Sequence, residues 1–406
     1  MSILILNRYS NDTAPYFEWL SHLNQPIVML CDEVRKNRVD KRYKYLEFFK
    51  NWRRNGNVER RAIELHKEYN FQLIIALSES DIIRAAKLRE VLHINGQDLK
   101  SAEAFRDKVI MKGYIKKTEL RVPKFRKINH PNDLIEFCLL NNFPVVYKPV
   151  DGAGSQDTYV LNSWSNLNEA LEDTAFKSFE VEDFIDGEMY HIDGVWHKNK
   201  MLFVSTSKYV NGCLAFHEDK YLGSYVLSDK NPMNKRLIQS TQKILEALPS
   251  EFTFPFHCEI FVTSNNEMVF CEIASRAGGA RVVQTIEKLF NYNILKESLL
   301  AQCDAIKKYT SKNFTKNRLV NTAGWLLIPP HNGRLIDIPN KLPFSNVMEY
   351  RLNSKIGDFF EEADRSVDHI ASVILKGENE TDITSRLDKV ALWINEHTKW
   401  NRDVLK

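Results

Sequence analysis

The chain has 406 residues, 43% of them hydrophobic and 27% charged, which excludes a disordered, collagenous or small disulfide-stapled molecule. Its 56 Lys and Arg stand against 53 Asp and Glu, and a net charge of +3 is too even a balance for electrostatic capture of nucleic acid. The six cysteines, at 31, 138, 213, 258, 271 and 303, form no CxxC pair, so they read as buried or incidental thiols and structural zinc is not expected.

Along the chain, residues 3–6 are apolar but too few for a signal segment, and no run approaches the length that spans a bilayer. A cytoplasmic protein without a membrane partner is expected. Apolar runs at 3–6, 26–30 and 72–77, separated by amphipathic stretches at 16–23 and 59–69, predict a small parallel α/β sheet. Such sheets serve a site at the carboxyl edge of their strands, where Ser78 to Asp81 follow the third run. No GxGxxG is present, so a dinucleotide fold is not expected. Residues 101–117 read as one helix opened by Ser101, with a domain boundary near 118.

Beyond that boundary, strands at 145–150, 158–161, 179–185, 189–196 and 201–210 predict mostly antiparallel sheet. Residues 211–229 lack a period and read as a functional loop. A helix is expected at 232–248, strands at 254–263 and 268–273, a single helix at 281–301 and a strand at 321–328. The remainder reads as a smaller α/β piece ending in an amphipathic helix over 383–397.

The most informative stretch is 257–276. Two strands closed by a two-residue Asn265-Asn266 turn would bring Glu259 directly opposite Glu272, because Asn accepts the positive φ such turns need. Carboxylates on directly opposed residues, with Cβ atoms about 4.5–5.5 Å apart, repel by roughly 3–4 kcal/mol at an effective dielectric near 20. A cation is expected between them. Alternation turns Cys258 and Cys271 to the other face, so the donors are oxygens and Mg²⁺ or Mn²⁺ is favoured over zinc. His257 and Arg276 share the carboxylate face, and Gly278-Gly279 follow. A three- to five-residue loop would change this pairing.

Two further segments carry candidate ligand contacts. In VVYKPVDGAGSQDTYVL, a strand ending in Lys148 runs into the loop Asp151 to Ser155, a flap whose amides and lysine suit a triphosphate, or a plain glycine-bearing turn. In EVEDFIDGEMYHID, Asp183 to Ile185 offer backbone donors and acceptors, Phe184 and Ile185 can flank a purine, and Glu188 can accept from ribose hydroxyls. The same composition suits an acidic edge strand. Lys108, taken alone, reads as a surface lysine.

Taken in order, Lys108, the Lys148 strand and flap, Glu182-Asp183-Phe184-Ile185 with Glu188, and the Glu259, Glu272 and Arg276 trio resemble the ATP-grasp superfamily, specifically its carboxylate-amine ligases. The most specific part is HCEIF followed by CEIASRAGG. The resemblance implies an α/β, α+β ATP-grasp architecture: a Rossmann-like domain over 1–118, a two-lobed ATP-grasp domain over 119–330 divided at 185/186, and a C-terminal subdomain over 331–406. It further implies that Lys108 and Lys148 contact ATP phosphates and that Glu182, Asp183, Phe184 and Ile185 hold the adenine. Glu188 would hold the ribose, Glu259 and Glu272 would bind Mg²⁺, and Arg276 would stabilise an acyl phosphate. Many members carry Asn two residues after the second metal glutamate, where this chain has Ala274.

The implied reaction joins an amino-acid carboxylate to an amine with release of ADP and phosphate. One variant delivers the acyl group to the phosphopantetheine thiol of an acyl-carrier protein, as in antibiotic pathways, and a basic face on 211–229 or 231–238 would favour it. A non-catalytic nucleotide-binding regulator is the alternative of a different class. His191, Asp193, His217 and Arg281 are candidate acceptor-pocket residues by position, and a homodimer is compatible with the reading.

Overall fold

The computed structural model describes residues 2–173, 178–215, 220–305, 308 and 318–401. Strands covered on both faces need no polar alternation, and the apolar N-terminal runs form such a sheet. β1 (Ser2–Asn7), β2 (Ile27–Asp32), β3 (Tyr45–Phe49) and β4 (Phe71–Ala76) lie in the order β3-β2-β1-β4, all parallel. α1 (Tyr16–Leu20) follows β1 and α2 (Asn57–Tyr69) precedes β4. β3 has no counterpart in the expected elements. It is the edge strand, largely half-buried, and Glu47 interrupts its apolar run.

After β4 come α3 (Ile82–Leu92), α4 (Leu99–Ala104) and α5 (Lys108–Ile115), so the single helix expected over 101–117 is two. Each has its own aspartate cap, which satisfies amides that a helix leaves open at its start. Asp98 accepts from Ser101 N at 2.7 Å, placing Ser101 inside α4, and Asp107 accepts from Val109 N at 2.8 Å and Ile110 N at 3.0 Å.

A four-stranded antiparallel sheet follows, ordered β5-β8-β6-β7 from β5 (Phe125–Ile128), β6 (Val145–Pro149), β7 (Tyr159–Leu161) and β8 (Phe179–Asp183). α6 (Pro131–Asn141) and α7 (Trp164–Asp173) close its core around Phe137, Val145, Tyr147, Leu167 and Val181.

The largest sheet is ordered β13-β12-β9-β10-β11-β14-β18-β16. Its strands β9 (Gly187–His197), β10 (Lys200–Val210), β11 (Leu222–Val226), β12 (Phe254–Thr263), β13 (Met268–Ala274) and β14 (Thr322–Ile328) are interleaved with α8 (Met233–Ala247), α9 (Val282–Phe290) and α10 (Ile294–Gln302). β15 (Gly333–Asp337), β16 (Val347–Leu352), β17 (Phe359–Phe360), β18 (Ala371–Gly377), α11 (Glu380–His397) and β19 (Lys399–Asn401) complete the described chain.

Alternate residues of this sheet enter two cores. Ile192, Trp196, Leu326 and Ile328 face α8 and α11, whereas Val195, Trp325 and Leu327 face α9, α10 and the parallel sheet. Three expectations change here. Residues 211–229 contain β11, a central strand whose Gly223 and Ser224 obscure its period. The helix expected over 281–301 breaks at Asn291, which adopts φ +52°, and Asn293 caps the second half. The C-terminal residues are not a separate piece, because β18 pairs with β14 and β16 extends the sheet. Among the described C-terminal strands, β15, β17 and β19 alone form a sheet separate from it.

At the carboxyl edge of the parallel sheet Asp81 is 1% exposed, accepts from Trp52 Nε1 at 2.8 Å and lies 3.5 Å from Arg84. Burial outweighs these partners and lifts its pKa from 3.8 to about 6. The folded state therefore keeps this proton to higher pH than the unfolded chain. Stability contributed at Asp81 falls between about pH 4 and 6 by on the order of 3 kcal/mol. Asp81→Asn should abolish that slope: urea midpoints of variant and parent should diverge across this window and run parallel above pH 7.

Candidate active site

The β12–β13 hairpin sets the centre of the site. Its loop is 264–266, three residues, with Asn266 at φ +61° and Thr263 N bonded to Glu267 O at 3.0 Å. The expected two-residue Asn265-Asn266 turn is therefore absent, and Val262, Phe261 and Ile260 face Met268, Val269 and Phe270. A bulge at Cys271 then takes up the extra residue, and Glu259 does face Glu272, with His257 facing Ala274. The bulge also turns Cys271 to the carboxylate side, against the expectation from strict alternation, leaving its Sγ 4.0 Å from Glu259 Oε2. Cys258 lies on the other face, in the core.

The two carboxylates are held by different chemistry. Glu272 lies 3.0 Å from Lys108 Nζ. Burial works to raise its pKa, but Lys108, Lys148 and Arg276 prevail and hold it at about 2. Glu259 Oε1 accepts from Tyr209 OH at 2.9 Å and lies 3.3 Å from His257 Nε2. Burial pulls His257 down, yet Asp193 and Glu259 push it up to about 9. Arg276 donates Nε to Glu79, which also receives Arg106. Glu79 belongs to the Ser78–Asp81 segment at the parallel sheet's carboxyl edge, so both sheets hold the arginine.

On the other side of the pair, Lys148 Nζ reaches Glu182 Oε1 at 2.5 Å, and Lys112 bridges Glu182 and Glu180, the latter at 2.7 Å. Lys112 and Glu180 have no exposed surface. Burial raises Glu180, whereas Glu182 is buried too but is drawn below the usual range by both lysines. The Glu182 carboxylate thus meets two lysines, and Asp183, Phe184 and Ile185 follow it at the strand end and line the same cavity. Glu188 accepts from Tyr190 OH at 2.9 Å and from Lys208, which holds it below its ordinary pKa.

Two cavities meet at the carboxylates. One, of about 630 Å³, is lined by Lys108, Lys148 and 182–188 together with apolar Val146, Leu214 and Phe261. The other, of about 1060 Å³, carries Arg276, His257, Glu79, Arg8 and Arg365. Glu259, Glu272, Tyr209 and flap residues 152–156 belong to both. The flap is tied to three neighbours: Gly152 O accepts from Lys108 Nζ at 2.9 Å, Gly154 O from Ser366 N at 3.2 Å, and Ser155 Oγ donates to Cys213 O at 3.3 Å.

Every candidate contact named from the motifs lines one cavity or the other. The candidate acceptor-pocket residues do not. Arg281 pairs with Glu349, His191 and Asp193 lie outside both cavities, and His217 is outside the described residues. Lys112, Glu180, Tyr209 and Arg106 are contributors that the sequence reading does not single out, whereas Glu79 lies in the Ser78–Asp81 segment expected at the sheet's carboxyl edge. Signals for two of them were available: Lys112 follows Lys108 at i+4 on one helix face, and Ser205, Ser207 and Tyr209 alternate as a polar strand face.

Residues 141–284 match the ATP-grasp domain family. An L-arginine-specific L-amino acid ligase of Bacillus subtilis is 27% identical over 333 residues, 79% of each chain. Among solved structures, the L-amino acid ligase of Bacillus licheniformis superposes with a TM-score of 0.78 at 16% identity, covering 99% of this chain and 98% of that one. A carboxyaminoimidazole ribonucleotide synthase of Aspergillus clavatus, complexed with ATP, gives 0.73 at 14% identity, covering 98% and 99%. The hairpin that opposes two carboxylates between two chambers lies inside the stretch that matches the ATP-grasp domain family, and the fold as a whole is similar to that of the L-amino acid ligase of Bacillus licheniformis.

Proposed function

We propose that the protein is an ATP-dependent ligase that activates an amino-acid carboxylate as an acyl phosphate and passes it to an amine, releasing ADP and phosphate. The observation that carries this reading is the meeting of two chambers at Glu259 and Glu272, with lysines on one side and Arg276 on the other. Phosphoryl transfer asks little covalent chemistry of a protein; it needs alignment and neutralised charge.

In the smaller chamber, the backbone of Asp183 to Ile185 would hold the adenine and Glu188 the ribose, while Lys108 and Lys148 reach the phosphates. Glu182 acts through Lys148 and not on the base. Glu259 and Glu272 present oxygen donors, a set that fits Mg²⁺ or Mn²⁺, and the ion when bound would neutralise phosphate oxygens. In the larger chamber, Arg276, kept in place by Glu79, faces the carboxylate being activated. A carboxylate oxygen bonds to the γ-phosphorus of ATP, the bond from that phosphorus to the β,γ-bridging oxygen breaks, and ADP leaves with the electron pair. The amine nitrogen then bonds to the acyl carbon, phosphate leaves with the C–O electron pair, and the amine gives up a proton.

An amine is preferred over a carrier-protein thiol because the relative from Bacillus subtilis is an L-amino acid ligase. A regulator without turnover has no use for an arginine poised beyond the carboxylate pair.

ADP release measured with ATP, Mg²⁺ and amino acids singly and in pairs, arginine included, is expected to depend on the amino acid and to yield a hydroxamate when hydroxylamine is present. Absence of ADP with every carboxylate would leave only the regulator. Arg276→Ala should lower kcat by about 10²–10³-fold with little change in KM for ATP, the pattern of a group acting on developing charge.

Lys112→Met leaves Glu180 and Glu182 buried without their shared cation and should destabilise the fold by about 3–5 kcal/mol. The double variant Lys112→Met/Glu180→Gln should recover part of that loss. Identical urea midpoints for parent and Lys112→Met would contradict the assignment of this cluster.

A further inference from the structure

Behind Glu259 a chain of buried polar side chains crosses the main sheet; His257 also lines the larger cavity, whereas His191, Asp193 and Ser224 lie out of both. Asp193, on β9, has no exposed surface, and its two oxygens serve different imidazoles: Oδ2 lies 2.5 Å from His191 Nδ1 and Oδ1 lies 2.8 Å from His257 Nδ1. Burial opposes the charge on Asp193, but the two imidazoles hold it far below the usual carboxylate range. An ionised carboxylate only accepts, so both Nδ1 atoms carry the hydrogen. His191 Nε2 continues to Ser224 Oγ on β11 at 2.6 Å, and His257 Nε2 continues to Glu259 Oε1 at 3.3 Å.

The far end of this chain meets Glu259 on one oxygen only. Tyr209 OH and His257 Nε2 both converge on Oε1, whereas Oε2 meets Cys271 Sγ at 4.0 Å. Two donors on one oxygen fix the carboxylate plane and present the other oxygen. The roof of the chain is Gly278: a Cβ there would come 2.5 Å from Asp193 Oδ1 and 3.0 Å from His257 Nδ1. The loop that carries Arg276, two residues earlier, therefore rests directly on the Asp193–His257 hydrogen bond.

We propose that His191, Asp193 and His257 form a positioning network that presents Glu259 Oε2 to the divalent ion and seats the Arg276 loop over the same point. The proposal rests on the reading of Glu259 as a metal ligand. Partners behind a ligand orient it and set its affinity for the ion, and losing one typically weakens metal binding 10–100-fold.

The test is Mn²⁺ binding to the full chain with ADP, followed by electron paramagnetic resonance, alongside ADP binding without metal. An Asn side chain places its amide near Nδ1 of the histidine it replaces, and a Gln side chain near Nε2. His257→Asn, which keeps the bond to Asp193 and loses the one to Glu259, should weaken Mn²⁺ 10–100-fold and leave metal-free ADP binding unchanged. His257→Gln should retain most of the affinity, and Asp193→Asn should behave like His257→Asn. If Asp193→Asn fails to fold, the His257 pair decides alone. Equal Mn²⁺ affinity for His257→Asn, His257→Gln and the parent would overturn the network, whatever their melting temperatures. Undiminished Mn²⁺ binding in Glu259→Gln would instead overturn the metal-ligand reading beneath it.

Discussion

Two acidic side chains facing each other across neighbouring strands are the constraint around which this molecule is arranged. Unrelieved, such a pair repels by several kcal/mol. Relief comes from both sides and by different means: Lys108, at the head of α5, sits on Glu272, while neutral and histidine donors sit on one oxygen of Glu259. The asymmetry matters. Glu272 is kept ionised by fixed cations, whereas Glu259 is kept oriented, so the pair offers one oxygen-lined point with charge and direction both set.

That point is built from distant parts of the chain. Arg276 follows β13 but is anchored by Glu79 from the parallel sheet, and Arg106, just before α5, shares the same anchor. Gly154 in the flap hydrogen-bonds Ser366, so the region after β17 closes on the four-stranded sheet's loop. The strands of 331–406 therefore do more than follow the larger sheet: β16 and β18 extend it, and the segment between β17 and β18 supplies Arg365, Ser366 and Val367 to the larger cavity.

Much of this was legible in the residues, though not always for the right reason. Long apolar or alternating runs gave β1, β2, β4, β6, β9, β10, β12 and β13 close to their observed limits. Opposition of Glu259 and Glu272 was anticipated from a two-residue turn, yet it arises from a three-residue loop and a bulge whose effects on register cancel. Local turn chemistry cannot show a bulge five residues away, and that bulge is what turns Cys271 to the carboxylate side. β11 was hidden because a central strand that carries Gly223 and Ser224 loses its hydrophobic signature; Gly223 is needed where Tyr221 and Trp325 crowd the backbone. Lys112 and Glu180 were invisible for a different reason. Neither is unusual in sequence, and only the packing of α5 against β8 makes them partners.

That packing raises the question of why the floor beneath Lys148 is ionic at all, since well-packed apolar residues would serve stability at least as well. Burial by itself would drive Lys148 toward its neutral form. The carboxylates of Glu182 and Glu180 reverse that tendency and keep the lysine charged well above its ordinary range. Two carboxylates so close would in turn repel, and Lys112, fully buried and bonded to both, removes that cost. An apolar floor could hold the same shape but not the charge. The quartet is therefore best understood as the smallest arrangement that delivers a permanently cationic lysine, at a fixed height on β6, to the chamber where the phosphates are expected to lie.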